Sequence, residues 1–225
     1  MNKPDGPDVA VFMTNASPSS SIELYWFEPY RQLPPMRAER RRVLVEQLGQ
    51  SAAAQRMRGL NEAAGRPARS VGSPAASRIS GVWNGQFARA IDVSDPVAAI
   101  GLMARAQRQA VEFGITREEF ERVKALRLEE ARAAVAMGRT ADSSREAEAI
   151  SDGLASDPVF VSRADGLAML EEDLKTVTLD DVNAAIRDRL KDRPKLVYRG
   201  PKRADVSEAS MRAALDAAMG ASVTA

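Results

Sequence analysis

Three pairs of adjacent glutamates come nearest to a reactive or metal-binding group, because carboxylates bind hard cations and exchange protons. The pairs are Glu118-Glu119, Glu129-Glu130 and Glu171-Glu172, and each falls in a segment with helical periodicity. Adjacent side chains on a helix point about 100° apart, so the two carboxylates of a pair do not converge on one ion. We therefore predict neither a catalytic residue nor a metal ligand among them.

The chain contains no histidine and no cysteine. Zinc hydrolases, serine and cysteine triads and most general-base mechanisms use an imidazole, so the sequence excludes these classes of enzyme for this chain. The serines at Ser19–Ser21 have no histidine to activate them and are interpreted as turn residues. An enzyme that uses only Asp, Glu, Arg, Lys or Tyr stays open as an alternative, although no spacing singles out a reacting pair.

The densest basic cluster consists of Arg37 and Arg40–Arg42, at the start of a long predicted helix. Such a cluster can contact phosphates, but glutamates interleave with it, and 32 basic against 31 acidic residues leave a net charge of +1. We therefore predict no nucleic-acid partner. Arg41 and Arg42 are instead expected on a solvated or partner-facing helix surface.

The other candidate contact residues lie in a strand predicted within the segment from Val71 to Ile91. Gly81 and Gly85 flank Trp83, and glycine inside a strand marks a bulge or the close approach of another backbone, as when a peptide adds to a sheet edge. Trp83 could belong to a platform that stacks on a peptide or a nucleic acid, whereas the alternation of the strand favours a core position. We keep these three residues as candidates for an interface.

Alternating apolar residues predict strands near both ends of the chain. Val9–Thr14 and Ile22–Trp26 are separated by a turn-forming segment and predict a hairpin. A half-buried strand that ends at Ile91 is expected to pair with a strand near Ala68–Pro74. Leu196–Tyr198 predicts a last short strand.

Apolar residues spaced three and four apart predict helices between these strands. Three helices have explicit start signals, at Asp95-Pro96, Thr116–Glu119 and Thr178–Asp181. The elements do not alternate strictly and show no internal repeat, which predicts an α+β domain with helices on one face of a largely antiparallel sheet. The helices are expected near residues 44–64, 97–113, 117–135, 142–155, 161–176, 179–190 and 207–219.

We predict a single domain over residues 9–201, with linkers at residues 1–8 and 202–225. The second linker holds an alanine-rich helix that lacks large apolar residues, would be marginal alone, and is expected to lead towards a following domain. No segment approaches the roughly 18 consecutive apolar residues of a membrane span, so none is predicted.

Three stretches, in order and at plausible intervals, resemble the second, non-catalytic domain of the insulinase-type (pitrilysin, or inverzincin) zinc metallopeptidases. The bacterial periplasmic-type subgroup is the most similar. The second stretch is similar to the family's G-[hydrophobic]-T-x-x-E-[hydrophobic]-x-R-x-K helix start, and the third to its T-[VI]-T-x-x-[DE]-V-N passage. The stretches are Ser19–Trp26 with Arg41–Leu48 and Gln55–Met57, then Gly114–Ala125, then Leu170–Leu190 with Thr176–Ala184 as its core.

The resemblance implies a two-layer domain with a mixed, mostly antiparallel sheet. In this family, two such domains form each half of a clam-shell around a peptide-binding chamber. Zinc is held by an H-x-x-E-H helix and a distal glutamate on the first domain. Because this chain lacks histidine, we expect no cofactor in it, and zinc only in a preceding catalytic domain. The resemblance alone suggests a periplasmic location.

The hypothesis that follows is a non-catalytic structural and substrate-chamber domain of a zinc endopeptidase. Trp83, Gly81, Gly85, Arg41 and Arg42 are its candidate substrate-chamber or interface residues. Its expected partners are sister domains of the same polypeptide or a homologous catalytic subunit, with a peptide as the substrate of the parent protein. The alternative is a non-catalytic partner subunit of a heteromeric peptidase. A face that normally packs on a sister domain could also drive self-association of the isolated chain.

Overall fold

The computed structural model describes residues 7–14, 18–29, 37–73, 77–79, 83–138 and 161–224, of which 28–29, 77–79, 83–87 and 138 are described as backbone alone. The strands are Val9–Met13 (β1), Ser21–Pro29 (β2), Ala68–Gly72 (β3), Ser77–Ile79 (β4), Trp83–Val93 (β5) and Lys195–Gly200 (β6). The helices are Arg37–Ala63 (α1), Pro96–Glu112 (α2), Arg117–Gly138 (α3), Arg163–Leu174 (α4), Leu179–Leu190 (α5) and Glu208–Gly220 (α6). The predicted α+β class is confirmed; the helix predicted at 142–155 lies outside the described residues.

One open, mixed sheet contains the described strands, in the order β1-β6-β2-β5-β3, with β4 also paired to β5. Of the described strand pairs, β1 with β6 is parallel and the others are antiparallel. The predicted partnership of the strand near Ala68 with the strand that ends the Val71–Ile91 segment is confirmed as β3 with β5. The sheet is therefore mostly antiparallel, as expected.

The hairpin predicted between β1 and β2 was wrong, because β6 lies between these two strands. β1 continues in register along β6 until the amide of Thr14 donates to the carbonyl of Gly200 at 2.9 Å. Two side chains of β6, Leu196 and Tyr198, are completely buried. Inserting β6 therefore fills the centre of the sheet with apolar side chains, which direct pairing of β1 with β2 would not do.

The two faces of the sheet differ in composition. Ile22 lies beside Ala90 and Tyr198, and these side chains are completely buried on the face against which the helices pack, which we call the covered face. Alternate residues point the other way because side chains on a strand alternate between faces. On that second face, the open face, Glu23 lies beside Arg89.

The predicted helix starts are confirmed in detail. The side chain of Asp95 accepts from the amide of Ala98 at 3.0 Å at the start of α2. At the start of α3, Thr116 and Glu119 form a reciprocal capping box, with bonds of 2.8 and 3.1 Å. Thr178 and its partner three residues on form the same motif at the start of α5. Each cap satisfies backbone amides that have no partner within the helix.

The alanine-rich helix α6 differs from its prediction. It packs chiefly against α2, and Met211 and Leu215 are completely buried in the main core. Val206, just before the helix, is also buried. Two large apolar residues one turn apart, among alanines, suffice to seat a short helix in a groove between larger elements. α6 is therefore part of the packed domain, and continuation of residues 202–225 into a following domain stays a prediction.

Among the helices described, none combines the length and apolarity that crossing a membrane requires.

Candidate functional site

The stretches that carry the family resemblance meet in space. Arg56, on α1, forms a bidentate ion pair with Glu119 at 3.0 and 2.6 Å and also donates to the carbonyl of Gly114 at 3.1 Å. This contact joins the first stretch to the second. Burial by itself raises the pKa of the Glu119 carboxyl, but the hydrogen bonds and charge of Arg56, with the bonds from Thr116, outweigh burial and lower it.

Hydrogen bonds join the third stretch to the other two. Arg41 donates to the carbonyl of Thr176 at 2.9 Å and to the carboxylate of Asp181 at 2.7 Å. The side-chain oxygen of Asn183 accepts from the amide of Ile115 at 2.7 Å. The residues on which the resemblance rests therefore form the framework that fixes α1, α3 and α5 relative to one another.

The rest of the arginine cluster is paired with carboxylates in the same way. Arg42 binds Glu39 and Glu46 within α1, and Arg40 binds the buried Asp173 at the end of α4. Neutralised arginines attract phosphates weakly, and the absence of a nucleic-acid partner stays a prediction. Contact of Arg41 and Arg42 with a substrate or a second protein stays a prediction.

Trp83 and Gly85 lie on β5, an interior strand of the described sheet. Trp83 opposes Pro29 of β2 on one side and Ile79 of β4 on the other. Gly85 likewise has a paired strand on each side, so no peptide can add to the sheet there. The edge-addition interpretation was therefore wrong for Trp83 and Gly85, because the edges of the described sheet are β1, β3 and β4. Contact of these two residues with a substrate or a sister domain stays a prediction. Gly81 lies outside the described residues.

The adjacent glutamates are held by arginines. Arg132 binds Glu129 at 3.1 Å and Glu171 at 3.3 Å, and Arg37 binds Glu172 at 2.9 Å. Within the part of the chain that the structure describes, no cluster of three or more acidic, histidine or cysteine side chains could hold a metal ion.

A charged cluster on the open face was not singled out from the sequence. Its centre is Glu23 of β2, whose side chain is 3% exposed. One carboxylate oxygen accepts from Arg89 at 2.6 Å and the other from Arg199 at 2.5 Å. Tyr25 donates its hydroxyl to the same carboxylate. Three neighbouring strands thus bring four polar side chains together in the middle of the sheet.

The electrostatics of this cluster follow from its geometry. Burial by itself raises the pKa of Glu23, but the hydrogen bonds from Tyr25 and Arg89 and the charges of both arginines outweigh burial and hold the pKa below its ordinary value of 4.5. Burial and the neighbouring carboxylate raise the pKa of Tyr25. The guanidinium groups of Arg89 and Arg199 share the single carboxylate of Glu23.

Aromatic side chains border the cluster. The guanidinium of Arg199 lies 5.6 Å from the centroid of the Phe12 ring, which is 57% exposed at the end of β1. On the other side, the rings of Tyr25 and Phe27 stack 5.8 Å apart. Aromatic rings beside arginines are typical of surfaces that contact other proteins or peptides.

The sequence signal that could have revealed this cluster is a charged residue at an outward-facing position in each of three strands. Glu23, Arg89 and Arg199 each interrupt an apolar strand at a position that points away from the core. These residues come together only because β2 pairs with both β5 and β6. The pairing with β6 joins segments that are far apart in the chain, and the sequence does not specify it.

Comparison with known proteins supports the fold. No protein-family model and no curated protein matches this sequence. Among solved structures, the first half of the periplasmic protease PqqL from Escherichia coli matches 96% of the chain with a TM-score of 0.79 at 13% identity. A Yersinia pestis protein predicted to be an insulinase family protease matches 96% with a TM-score of 0.81 at 15% identity. The ferredoxin protease FusC, in complex with Arabidopsis ferredoxin, matches 96% with a TM-score of 0.68 at 16% identity.

The chain spans about half the length of the first two structures, 47% of each, and 24% of the third. At these identities the likeness establishes the fold, which is that of insulinase-type proteases. The fold implied by the three sequence stretches is thereby confirmed.

Proposed function

We propose that this chain is a non-catalytic structural domain that forms part of the wall of the peptide chamber in an insulinase-type zinc peptidase. The observation that carries the proposal is a peptidase fold over 96% of a chain that contains no histidine. The zinc chemistry of this family uses imidazole ligands and an activated water, and this chain contains no histidine to supply the imidazoles.

The division of the sheet into two faces supports the proposed role. The covered face gives the domain its core, and we propose that the open face contacts a bound chain or a sister domain. Its polar cluster is preorganised, because Glu23 fixes the guanidinium groups of Arg89 and Arg199 before any partner arrives. Preorganised side chains lose little conformational entropy on binding.

The alternative proposal is a non-catalytic partner subunit, which would act on the same peptides through a separate catalytic chain. The two proposals share the fold and the open face. They differ only in whether the zinc motif belongs to the same polypeptide. Reading the genomic sequence around this chain for an H-x-x-E-H helix distinguishes them: a preceding domain with the motif favours the first, and a separate gene favours the second.

The biochemical test uses the purified chain and a quenched fluorescent peptide. The chain alone is expected to show no zinc-dependent cleavage, which would be recognised by its loss on addition of EDTA. Adding the protein that carries the H-x-x-E-H motif is expected to produce cleavage at a higher rate than that protein shows alone. Zinc-dependent turnover by the pure chain, or no effect of the chain on its catalytic counterpart, would overturn the proposal.

A further inference from the structure

We propose that the cluster of Arg89, Arg199, Tyr25 and Glu23 on the open face binds an acidic side chain of a peptide that lies across the sheet. This inference rests on the proposed chamber-wall function and names the class of peptide that such a wall would favour.

The first step of the argument is the order of charges from the surface inward. The side chains of Arg89 and Arg199 are 39% and 52% exposed, whereas that of Glu23 is 3% exposed. An approaching group therefore meets the two guanidinium groups before it meets the carboxylate. A guanidinium has five N–H donors, so Arg199, which donates to Glu23 through Nη1, can still donate to a second carboxylate.

The second step is the shape of the surface. Ser21, Glu23, Tyr25, Arg89, Ile91 and Arg199 line a shallow depression of about 410 Å³ on the sheet. The depression is large enough for one side chain, and its open form lets a chain continue on both sides. A carboxylate in it would lie beside two guanidinium groups that share the single carboxylate of Glu23.

The third step selects an acidic side chain over a C-terminal carboxylate. Recognition of a chain terminus commonly uses a nest of free backbone amides. Residues Ser21–Tyr25 of β2 are paired with β5 on one side and with β6 on the other, so their amides belong to the ladders of the sheet. The donors that the cluster offers are therefore side chains, which suit the two oxygens of an aspartate or glutamate.

The fourth step concerns the residue beside the acidic one. Phe12 is 57% exposed, lies under the guanidinium of Arg199, and offers an apolar surface next to the positive one. A peptide with an apolar residue near its acidic residue would cover this ring and remove water from around the arginine. Removing water strengthens the ion pair.

The test is a titration of the full 225-residue chain with fluorescent ten-residue peptides. One peptide carries a central glutamate beside a leucine, and its counterpart carries glutamine at the same place; both have amidated C-termini. At low salt we expect the glutamate peptide to bind about three- to fivefold more tightly. The preference should shrink as ionic strength rises, because salt screens exposed charges.

Two variants locate the binding site. Arg199→Gln is expected to abolish the preference for glutamate, whereas Arg212→Gln, which removes the same charge from an exposed position on α6, should keep it. Glu23→Gln, checked for folding by circular dichroism, should bind the glutamate peptide more tightly than the native chain does. In that variant the arginines no longer share their charge with a buried carboxylate, and a purely structural cluster would not respond in this way.

Equal binding of the two amidated peptides would overturn the inference, as would a preference that survives Arg199→Gln. A version of the peptides with a free C-terminus that binds more tightly than the amidated ones, with no preference for glutamate, would also overturn it. The group bound would then be the C-terminal carboxylate. None of these results depends on zinc or on cleavage, so failure of this inference and failure of the proposed function are separately visible.

Discussion

Glu23 occupies a position where an isolated carboxylate would be costly, because its side chain is almost entirely shielded from water. The two arginines and the tyrosine hydroxyl offset that cost, and each comes from a strand that the fold must place next to or within β2. The cluster can therefore form only when β2, β5 and β6 are correctly assembled.

Replacing Glu23 by glutamine tests this contribution to stability. Folding lowers the pKa of Glu23, so its contribution is fully present above the ordinary pKa of 4.5 and is lost as the pH falls through the lower folded value. We expect Glu23→Gln to reduce the free energy of unfolding by about 1–2 kcal/mol at pH 7. Urea denaturation at pH 7 and near pH 4 should show the difference from the native chain narrowing in acid.

A matched control for this experiment is Glu118→Gln, since Glu118 is 83% exposed and pairs with Arg122 on the surface of α3. Exposed pairs contribute little, so the control should be nearly neutral at both pH values. A loss at Glu23 that does not depend on pH would contradict the ionic explanation.

The fold also depends on the absence of a side chain at Gly114. Its φ is +76°, and a Cβ there would lie 2.7 Å from the side chain of Asn183, which holds the backbone of Ile115. We expect Gly114→Ala to cost about 2 kcal/mol, from the strained backbone and the displaced asparagine together. Thermal unfolding followed by circular dichroism measures it.

Gly101 provides the control, because it lies within α2 and a Cβ there would meet no atom within 4 Å. Alanine is the better helix former, so Gly101→Ala should leave the protein unchanged or stabilise it by about 0.5–1 kcal/mol. Equal losses at the two glycines would contradict the role given to the left-handed conformation of Gly114.

At the scale of elements, the helix starts could be predicted from local sequence signals, whereas the pairing of distant strands could not. Asp95, Thr116 and Thr178 mark helix starts through bonds to residues three positions away, so the sequence alone was sufficient to find them. The position of β6 depends on which surface remains for it after the other strands have packed. Nothing near Leu196 in the sequence specifies β1 as a neighbour, and for this reason the hairpin prediction was wrong.

The helix α6 gives the element-scale prediction. Leu215 is completely buried against the core, so Leu215→Ala should leave a cavity and lower the free energy of unfolding by about 2–4 kcal/mol. Arg212→Ala, on the exposed side of the same helix, should change it by less than about 0.5 kcal/mol. Chemical denaturation of both variants measures the difference. Similar, small effects would mean that the helix is only loosely attached.

At the scale of the whole molecule, the family resemblance located the framework and missed the open face. Its motif residues, among them Arg56, Glu119 and Asn183, hold helices together. A sequence motif of this kind reports a fold because the framework tolerates little change. The open-face cluster is a product of sheet topology, so only the assembled sheet reveals it.

The absence of histidine gives a whole-molecule prediction about metal. A ligand that binds only the folded state raises the midpoint of thermal unfolding. Zinc at a tenfold molar excess is therefore expected to leave that midpoint of the isolated chain unchanged in calorimetry. An increase of several degrees would reveal a carboxylate site and would contradict our prediction that the chain holds no metal.

The pairing of β1 with β6 also has a consequence for biosynthesis. Val9 lies opposite Leu196, and among the described strands β6 is the one that pairs with β1. At translation rates of about 5–20 residues per second, β1 waits roughly 10–40 s for its partner to be made. Throughout that interval the ribosome carries an apolar strand with unpaired amides and carbonyls, which is a template for misassembly between nascent chains. A chaperone that shields the β1 segment as it leaves the ribosome would therefore be expected to raise the yield of folded protein more than one acting on the completed chain.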